Sequence, residues 1–413
     1  MSEATADARL VREPAWRIVA CFLLTLAGLQ LVVGDRVQPF RWDLTAEKNL
    51  GVAEANAWLH GQLDLGNADT TLRRPHDTAL KDGRVFNVFP PLVSALTVVL
   101  APLHKLLLGA SDRWLPILAT LVALGPLPVL GYFLLRRESS DSAWGGLLTL
   151  SWIGGTALLP VLTASRFGDT VHLNQVLSQA GLLILAGDLI GRQRVWPGLI
   201  GLWIATWTRP ITFLYAISVF IVSIRRQRIV MCAVGLALIA GPLLVLNSLK
   251  FGSPLDFGYA YVYAGRYDPI AARAAAHGLF SLAFLPENAW YMFAAPPEIE
   301  ISATSVRIVP NVWGTSIWIT SPILLLALLS CRRWWADGRR RLAMLGTLPV
   351  ILGDLCYHNT GFVQPGYSRF ALDFIPIWML VIAADSRNGW RAWYTLAATA
   401  WGLLYFHWIV PIS

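Results

Sequence analysis

About eleven apolar runs, most of them long enough to cross ~30 Å of hydrocarbon, divide this chain, and arginine-rich loops separate them. The runs are Trp16–Gly34, Trp114–Leu135, Trp144–Leu162, His172–Ile190, Trp196–Thr206, Ile211–Ile224, Ile229–Leu246, Gly314–Ser330, Leu342–Tyr357, Leu372–Ala384 and Trp393–Val410. A soluble core could hide them only with more polar surface than the sequence has. It is 55% hydrophobic and 14% charged, where a soluble domain carries about a quarter charged residues. The pattern predicts an all-α polytopic membrane protein of about 11 transmembrane helices, with residues 1–413 forming one transmembrane domain.

The formal net charge of +8 is gathered as arginine between apolar runs. That placement signals membrane orientation, not a nucleic-acid surface. Arg9, Arg12 and Arg17 precede the first run, which lacks a small-residue cleavage site, so it reads as a retained span with a cytoplasmic N-terminus. The later clusters are Arg136-Arg137, Arg192/Arg194, Arg225-Arg226/Arg228, Arg332-Arg333 with Arg339-Arg340-Arg341, and Arg387/Arg391. All fall on the cytoplasmic side provided that Pro91–Leu108 does not cross. That stretch therefore reads as a helix at the outer interface, opened by Pro90-Pro91 and closed by Gly109. The abundant tryptophans, 19 in all, suit aromatic belts at both interfaces.

This topology collects the polar segments on the outer face: a long first external loop (residues 35–113), residues 165–171, a second long loop (residues 247–313) and residues 358–369. The second long loop, with its amphipathic stretch Pro269–Leu285, reads as an ordered lid. The cytoplasmic loops hold little beyond Arg, Ser and Gly, so chemistry is expected outside. The cysteines (Cys21, Cys232, Cys331, Cys356) show no paired spacing and the histidines no ligand spacing; no metal or other cofactor is indicated.

Asp43 and Glu47, just beyond the first run, are spaced to share a helix face. Either could be a general base that deprotonates an acceptor hydroxyl, or a solvated carboxylate capping the helix that runs toward His60. Asp169 stands on the second external loop and suits both a positioning role and an N-cap for the following span. Arg209, in Trp207-Thr208-Arg209-Pro210 between two apolar halves, needs an anion or a watery cavity; a guanidinium there suits a phosphate. Arg369 in Gln364-Pro365-Gly366-Tyr367-Ser368-Arg369 could hold a lipid-linked phosphate with Asp373 orienting it, or simply pair with Asp373 at i, i+4. Asn49, His172, Tyr367 and Asp373 complete the candidate set as substrate-contacting or supporting residues.

Together, Asp43 or Glu47, Asp169, Phe89-Pro90-Pro91 through Gly109, and Arg136-Arg137 resemble the polytopic GT-C glycosyltransferases. Those include protein O-mannosyltransferases and lipid A aminoarabinose transferases. Trp58-Leu59-His60-Gly61-Gln62-Leu63-Asp64-Leu65, Asn247-Ser248-Leu249-Lys250-Phe251-Gly252-Ser253-Pro254-Leu255 and Gln364-Pro365-Gly366-Tyr367-Ser368-Arg369 look like uncharacterised bacterial members of that class. Two positions depart from the pattern: no Asp-Glu pair occurs in the first loop, and Phe89 stands where a Lys would precede Pro90-Pro91.

The resemblance implies a polyprenyl-phosphate-linked sugar as donor and a catalytic Asp on the first external loop. The expected activity is sugar transfer to a lipid, glycan or protein acceptor on the extracytoplasmic side of the cytoplasmic membrane. Asp43 would be the base with Glu47 as substitute, Asp169 would position, and Arg209 and Arg369 would hold the donor phosphate. The rival expectations are an inactive GT-C-like scaffold that binds lipid-linked sugar, and a transporter or lipid flippase. The last would call for mid-membrane charges or repeated halves; no repeat is found, and apart from Asp188 and Asp354 near span ends the spans are nearly free of acids.

Overall fold

A computed structural model describes residues 50–66, 77–108, 126–139, 141–165, 170–264, 266, 268–302, 306–309, 311, 313–361, 367–385 and 388–406. The run Trp16–Gly34 and the residues Asp43, Glu47, Asn49 and Asp169 lie outside this set. The described chain is predominantly helical, with two small antiparallel hairpins.

In order, the elements are α1 (Leu50–Leu59), the hairpin β1 (Thr78–Lys81) and β2 (Arg84–Asn87), and α2 (Leu92–Leu108). Next come α3 (Pro126–Ser139), α4 (Ser142–Gly154), α5 (Leu158–Ser165), α6 (Thr170–Ile190), α7 (Trp196–Thr206), α8 (Ala216–Arg225) and α9 (Ile229–Phe251). The lid segment folds as α10 (Tyr259–Tyr263), α11 (Pro269–His277), α12 (Leu285–Phe293) and the hairpin β3 (Glu298–Ile301) and β4 (Val306–Val309). Short α13 (Ile317–Thr320), α14 (Leu325–Leu329) and α15 (Cys331–Ala336) lead to α16 (Gly338–Leu355), α17 (Ile375–Ala383) and α18 (Gly389–Leu404).

α6 and α17 form the centre. Every residue of α17 is buried, and only three of the 21 residues of α6 are not. Neighbouring α7 comes close enough to touch backbone to backbone. A Cβ on Gly181 would sit 2.6 Å from Ala205 N, and one on Gly201 would sit 2.5 Å from Gly181 O. Glycine, having no Cβ, is what lets the two backbones approach this closely.

Several apolar runs are not simple spans. Trp144–Leu162 is split between α4 and α5 at Gly155-Thr156-Ala157, where Thr156 Oγ1 donates back to Trp152 O (2.6 Å) and accepts from Leu158 N (3.2 Å). Gly314–Ser330 breaks before Pro322, which has no N–H to continue a helix. Ile211–Ile224 and Leu372–Ala384 both open as 3-10 turns, Pro210–Tyr215 and Arg369–Asp373. Only α6 and α9, among the described helices, are individually long and apolar enough to cross a bilayer. They differ sharply: 89% of the most apolar stretch of α6 is buried, but 17% of that of α9.

The arginine clusters meet at one end of the bundle. Arg137 Nη2 donates to Gly187 O (2.7 Å) and Arg339 Nη1 to Gly191 O (2.7 Å), at the C-terminus of α6. Arg226 Nη2 reaches Arg192 O (3.2 Å) in the next turn. Guanidinium groups thus bond carbonyls in the last turn of α6 and just beyond it, and they suit the negative pole of that helix. Asp385, buried, is held by Arg333, Arg391 and Ser330.

Candidate functional site

The opposite end gathers the segments expected from the sequence on the outer face. Gly51 N–H, in the first turn of α1, donates to Thr170 Oγ1 in the first turn of α6 (2.9 Å). A Cβ on Gly51 would come within 2.7 Å of Val93 Cγ1, so α2 closes the same corner. Leu92 N donates to Trp207 O (3.1 Å), two residues before Arg209. The two segments expected to carry the acids, the first loop up to Asn49 and the loop bearing Asp169, therefore end at residues that touch each other.

Arg209 precedes Pro210, and a residue in that position is pushed out of helical conformation. It is extended (φ −144°, ψ 93°), so its side chain leaves from the break between α7 and the 3-10 turn. The guanidinium meets Asp373: Nε lies 3.1 Å from both carboxylate oxygens, and Nη2 donates to Oδ2. Asp354 Oδ1 lies 3.8 Å from Nη2. Tyr215 fixes the backbone behind this contact by donating its hydroxyl to Asp373 O (2.9 Å). Gln179 of α6 donates to Leu372 O (2.8 Å) and ties the same turn to the centre of the bundle.

The spacing of Arg369 and Asp373 suggested a pair between those two. Asp373 instead holds Arg209, 164 residues away in sequence. The reason is local: this segment is a 3-10 turn, in which i and i+3 eclipse and i+4 points about 120° away. Arg369 and Arg209 nevertheless converge, because both guanidiniums lie over the ring of Phe370, at 5.6 and 4.9 Å from its centroid.

Aromatic residues close this corner. Tyr357 packs edge-on to Phe370 (5.9 Å) and against His358 (4.2 Å), which Tyr263 of α10 also meets edge-on (4.9 Å). Burial, with Arg273 nearby, pushes the His358 imidazole down to about 4, so it is neutral at pH 7. Burial raises the Tyr259 phenol of α10, with Arg209 and Arg369 pulling it down and Asp77 pushing it up. Arg273 locks the lid by donating to His358 O (2.8 Å) and Asn288 Oδ1 (3.0 Å).

Tyr367 and His172 are placed differently from the arginines. Tyr367 is buried against Phe406 (5.6 Å), inside the bundle, and His172 is buried in the first turn of α6. Among the described residues, no group of three His, Cys, Asp or Glu side chains could hold a metal ion.

One centre was not singled out from sequence. Glu54 of α1 is fully buried; its Oε1 accepts from Lys250 Nζ, and its Oε2 from Asn87 Nδ2 (2.9 Å) and Ser94 Oγ (2.6 Å). Lys250 Nζ also donates to Asn87 O (3.1 Å). This network joins α1, β2, α2 and the last turn of α9, and so clamps the first loop to the base of the lid. The available signal was a lone acid in an apolar helix and a lone Lys ending another, since buried charges require partners.

No protein-family model matches this chain, and no curated protein matches it.

Proposed function

We propose that this chain is a polytopic membrane glycosyltransferase of GT-C type. It would transfer a sugar from a polyprenyl-phosphate donor to an acceptor hydroxyl at the extracytoplasmic face of the cytoplasmic membrane. Membrane immersion is supported by α9, an apolar helix of 23 residues left mostly uncovered. Apolar surface exposed to water costs about 25 cal/mol per Å², so such a helix belongs in lipid. The convergence of arginines at the other end supports a cytoplasmic orientation for that end. Reporter fusions after Arg137, Arg194, Arg228 and Arg341 should accordingly read cytoplasmic, and fusions after Thr71 or Asp268 external. An external signal after Arg137 would mean that α2 crosses and that the outer face is misassigned.

The observation that carries the reading is the pair of guanidiniums on Phe370, beside the joined starts of α1 and α6. Asp373 takes Nε and Nη2 of Arg209 and so fixes the plane of its guanidinium, whose Nη1 is the group proposed to meet the phosphate. In the proposed inverting displacement, Asp43 or Glu47 accepts the proton of the acceptor hydroxyl. The acceptor oxygen bonds to the anomeric carbon as the bond from that carbon to the phosphate oxygen breaks. The leaving polyprenyl phosphate gains charge, which Arg369 and Arg209 stabilise because they are already in place. Asp169 positions the acceptor or the base.

Donor binding tests this site. Arg369→Ala should weaken binding of a polyprenyl-phosphate sugar by roughly 10–100-fold, the worth of a charge-assisted hydrogen bond. Arg369→Lys should recover part of that loss, since a point charge does not reproduce a forked contact. Unchanged donor affinity in a folded Arg369→Ala protein would remove Arg369 from the site.

A further inference from the structure

At the arginine-rich end, the turn between α6 and α7 and the turn between α8 and α9 border a half-open cavity of about 490 Å³. It is lined by Arg192, Gln193, Arg194, Trp196, Arg226 and Arg228. Among the described residues, neither Arg194 nor Arg228 has a carboxylate partner. The first turn is held in an unusual shape. Gln193 and Val195 both have positive φ (53° and 71°), and Gln227 in the other turn does too (54°). For a β-branched residue such as Val195 that conformation is strained and persists only when its surroundings enforce it. Buried Asp188 enforces it: its carboxylate oxygens accept from Arg194 N (2.8 Å) and Val195 N (3.1 Å). The carboxylate is thereby spent on backbone N–H groups and not on the side chain of Arg194, which lines the cavity. α9 starts at Ile229 beside it with no side chain capping its N-terminus, which adds a positive pole.

A second feature says what kind of anion fits. Directly along the bundle from the cavity, α7 and α9 lie side by side, Leu199 against Gly235 and Trp207 Nε1 donating to Ile239 O (2.9 Å). Their outer faces are apolar and uncovered. Trp196, Ile200 and Trp203 stand at helical spacing on α7, and Val230, Val234 and Leu238 on α9, with Val230 78% exposed. A pocket of cations that opens onto two apolar stripes matches a phosphate group with acyl chains attached. We infer that this cavity binds the phosphate headgroup of an anionic membrane phospholipid, with its chains along α7 and α9. The inference rests on the membrane reading of the chain but not on sugar transfer.

The test uses the full-length protein in an uncharged detergent and follows its thermal unfolding as phosphatidylglycerol is mixed into the micelles. The wild type should gain stability with phosphatidylglycerol, as a ligand bound only by the folded state requires, and should gain none with phosphatidylcholine or inorganic phosphate. Arg194→Gln/Arg228→Gln should need roughly 30-fold more phosphatidylglycerol for the same gain, at the usual worth of two basic residues near a lipid surface. Arg194→Lys/Arg228→Lys, which keeps the charge, should fall between. A control that removes two exposed charges elsewhere, Arg84→Gln/Arg307→Gln, should respond as the wild type does. An equal gain from inorganic phosphate would make this a free-phosphate site and overturn the lipid assignment. Equal responses of the wild type and the Arg194→Gln/Arg228→Gln protein, or an equal loss in the control, would overturn the site itself.

Discussion

Asp43→Asn should lower sugar transfer by roughly 10²–10⁴-fold, the usual contribution of a general base, while expression, folding and donor binding stay near wild type. Asn nearly preserves the shape and polarity of Asp but cannot take a proton at neutral pH. Glu47→Gln, made in parallel, decides between the two first-loop acids, because the more damaging substitution marks the base. A carboxylate that merely caps α1 would cost some stability and leave turnover per folded molecule intact. If neither substitution lowers transfer, the first loop does not supply the base.

The second large effect is expected at the clamp. Lys250→Met should destabilise the protein by about 3–5 kcal/mol, because it strands the buried Glu54 carboxylate without its cation. Adding Glu54→Gln should restore most of that loss, since replacing both charges removes the cost of burying them. The amide oxygen introduced by that second change would still accept a hydrogen bond from Asn87 or Ser94. Unfolding in mixed micelles across the four proteins of this cycle measures the coupling. Additive losses would mean that the two side chains act independently. Because Glu54 lies on α1, directly after the loop that carries Asp43 and Glu47, Lys250→Met should also reduce transfer beyond its effect on folded protein.

Much of the architecture was readable from local signals. Trp196–Thr206 forms α7 with the bounds its apolar run gave, and α2 follows Pro90-Pro91 directly, as a proline-led start requires. Arginines scattered over some two hundred residues of sequence, Arg137 and Arg339 among them, meet at one end of the bundle. What escaped depended on geometry that spacing alone does not carry. Asp373 found Arg209 because its segment winds as a 3-10 turn. Glu54 and Lys250 are joined only by the fold, 196 residues apart. The interior breaks at Gly155 and Pro322 sat inside runs whose mean polarity hid them. The β1–β2 hairpin had a legible signal that helical periodicity overshadowed: Asp82-Gly83, both with positive φ (49° and 75°), is the two-residue turn that matches the strand twist.

The lid shows how site and scaffold are linked. α11 starts at Pro269 with Asp268 capping Ile270 and Ala271, and its Arg273 reaches back to His358 and Asn288. Asn288 in turn donates to Leu355 O (2.8 Å) and Tyr357 O, at the end of α16 that carries Asp354. The aromatic wall beside Arg209 and Arg369 is therefore fixed by polar contacts from two separate elements, α11 and α12. This is the kind of support that keeps binding groups in position before a ligand arrives.

The most direct measurement of the central claim is transfer of labelled sugar from a polyprenyl-phosphate donor by the purified protein in lipid nanodiscs. The wild type should form a glycosylated acceptor and release polyprenyl phosphate in equal amounts. Arg369→Ala should lose donor binding and product together, and Asp43→Asn or Glu47→Gln should bind donor yet form little product. A wild-type protein that binds the donor but transfers nothing to lipid, glycan or protein acceptors would contradict the enzyme and leave a scaffold for lipid-linked sugar.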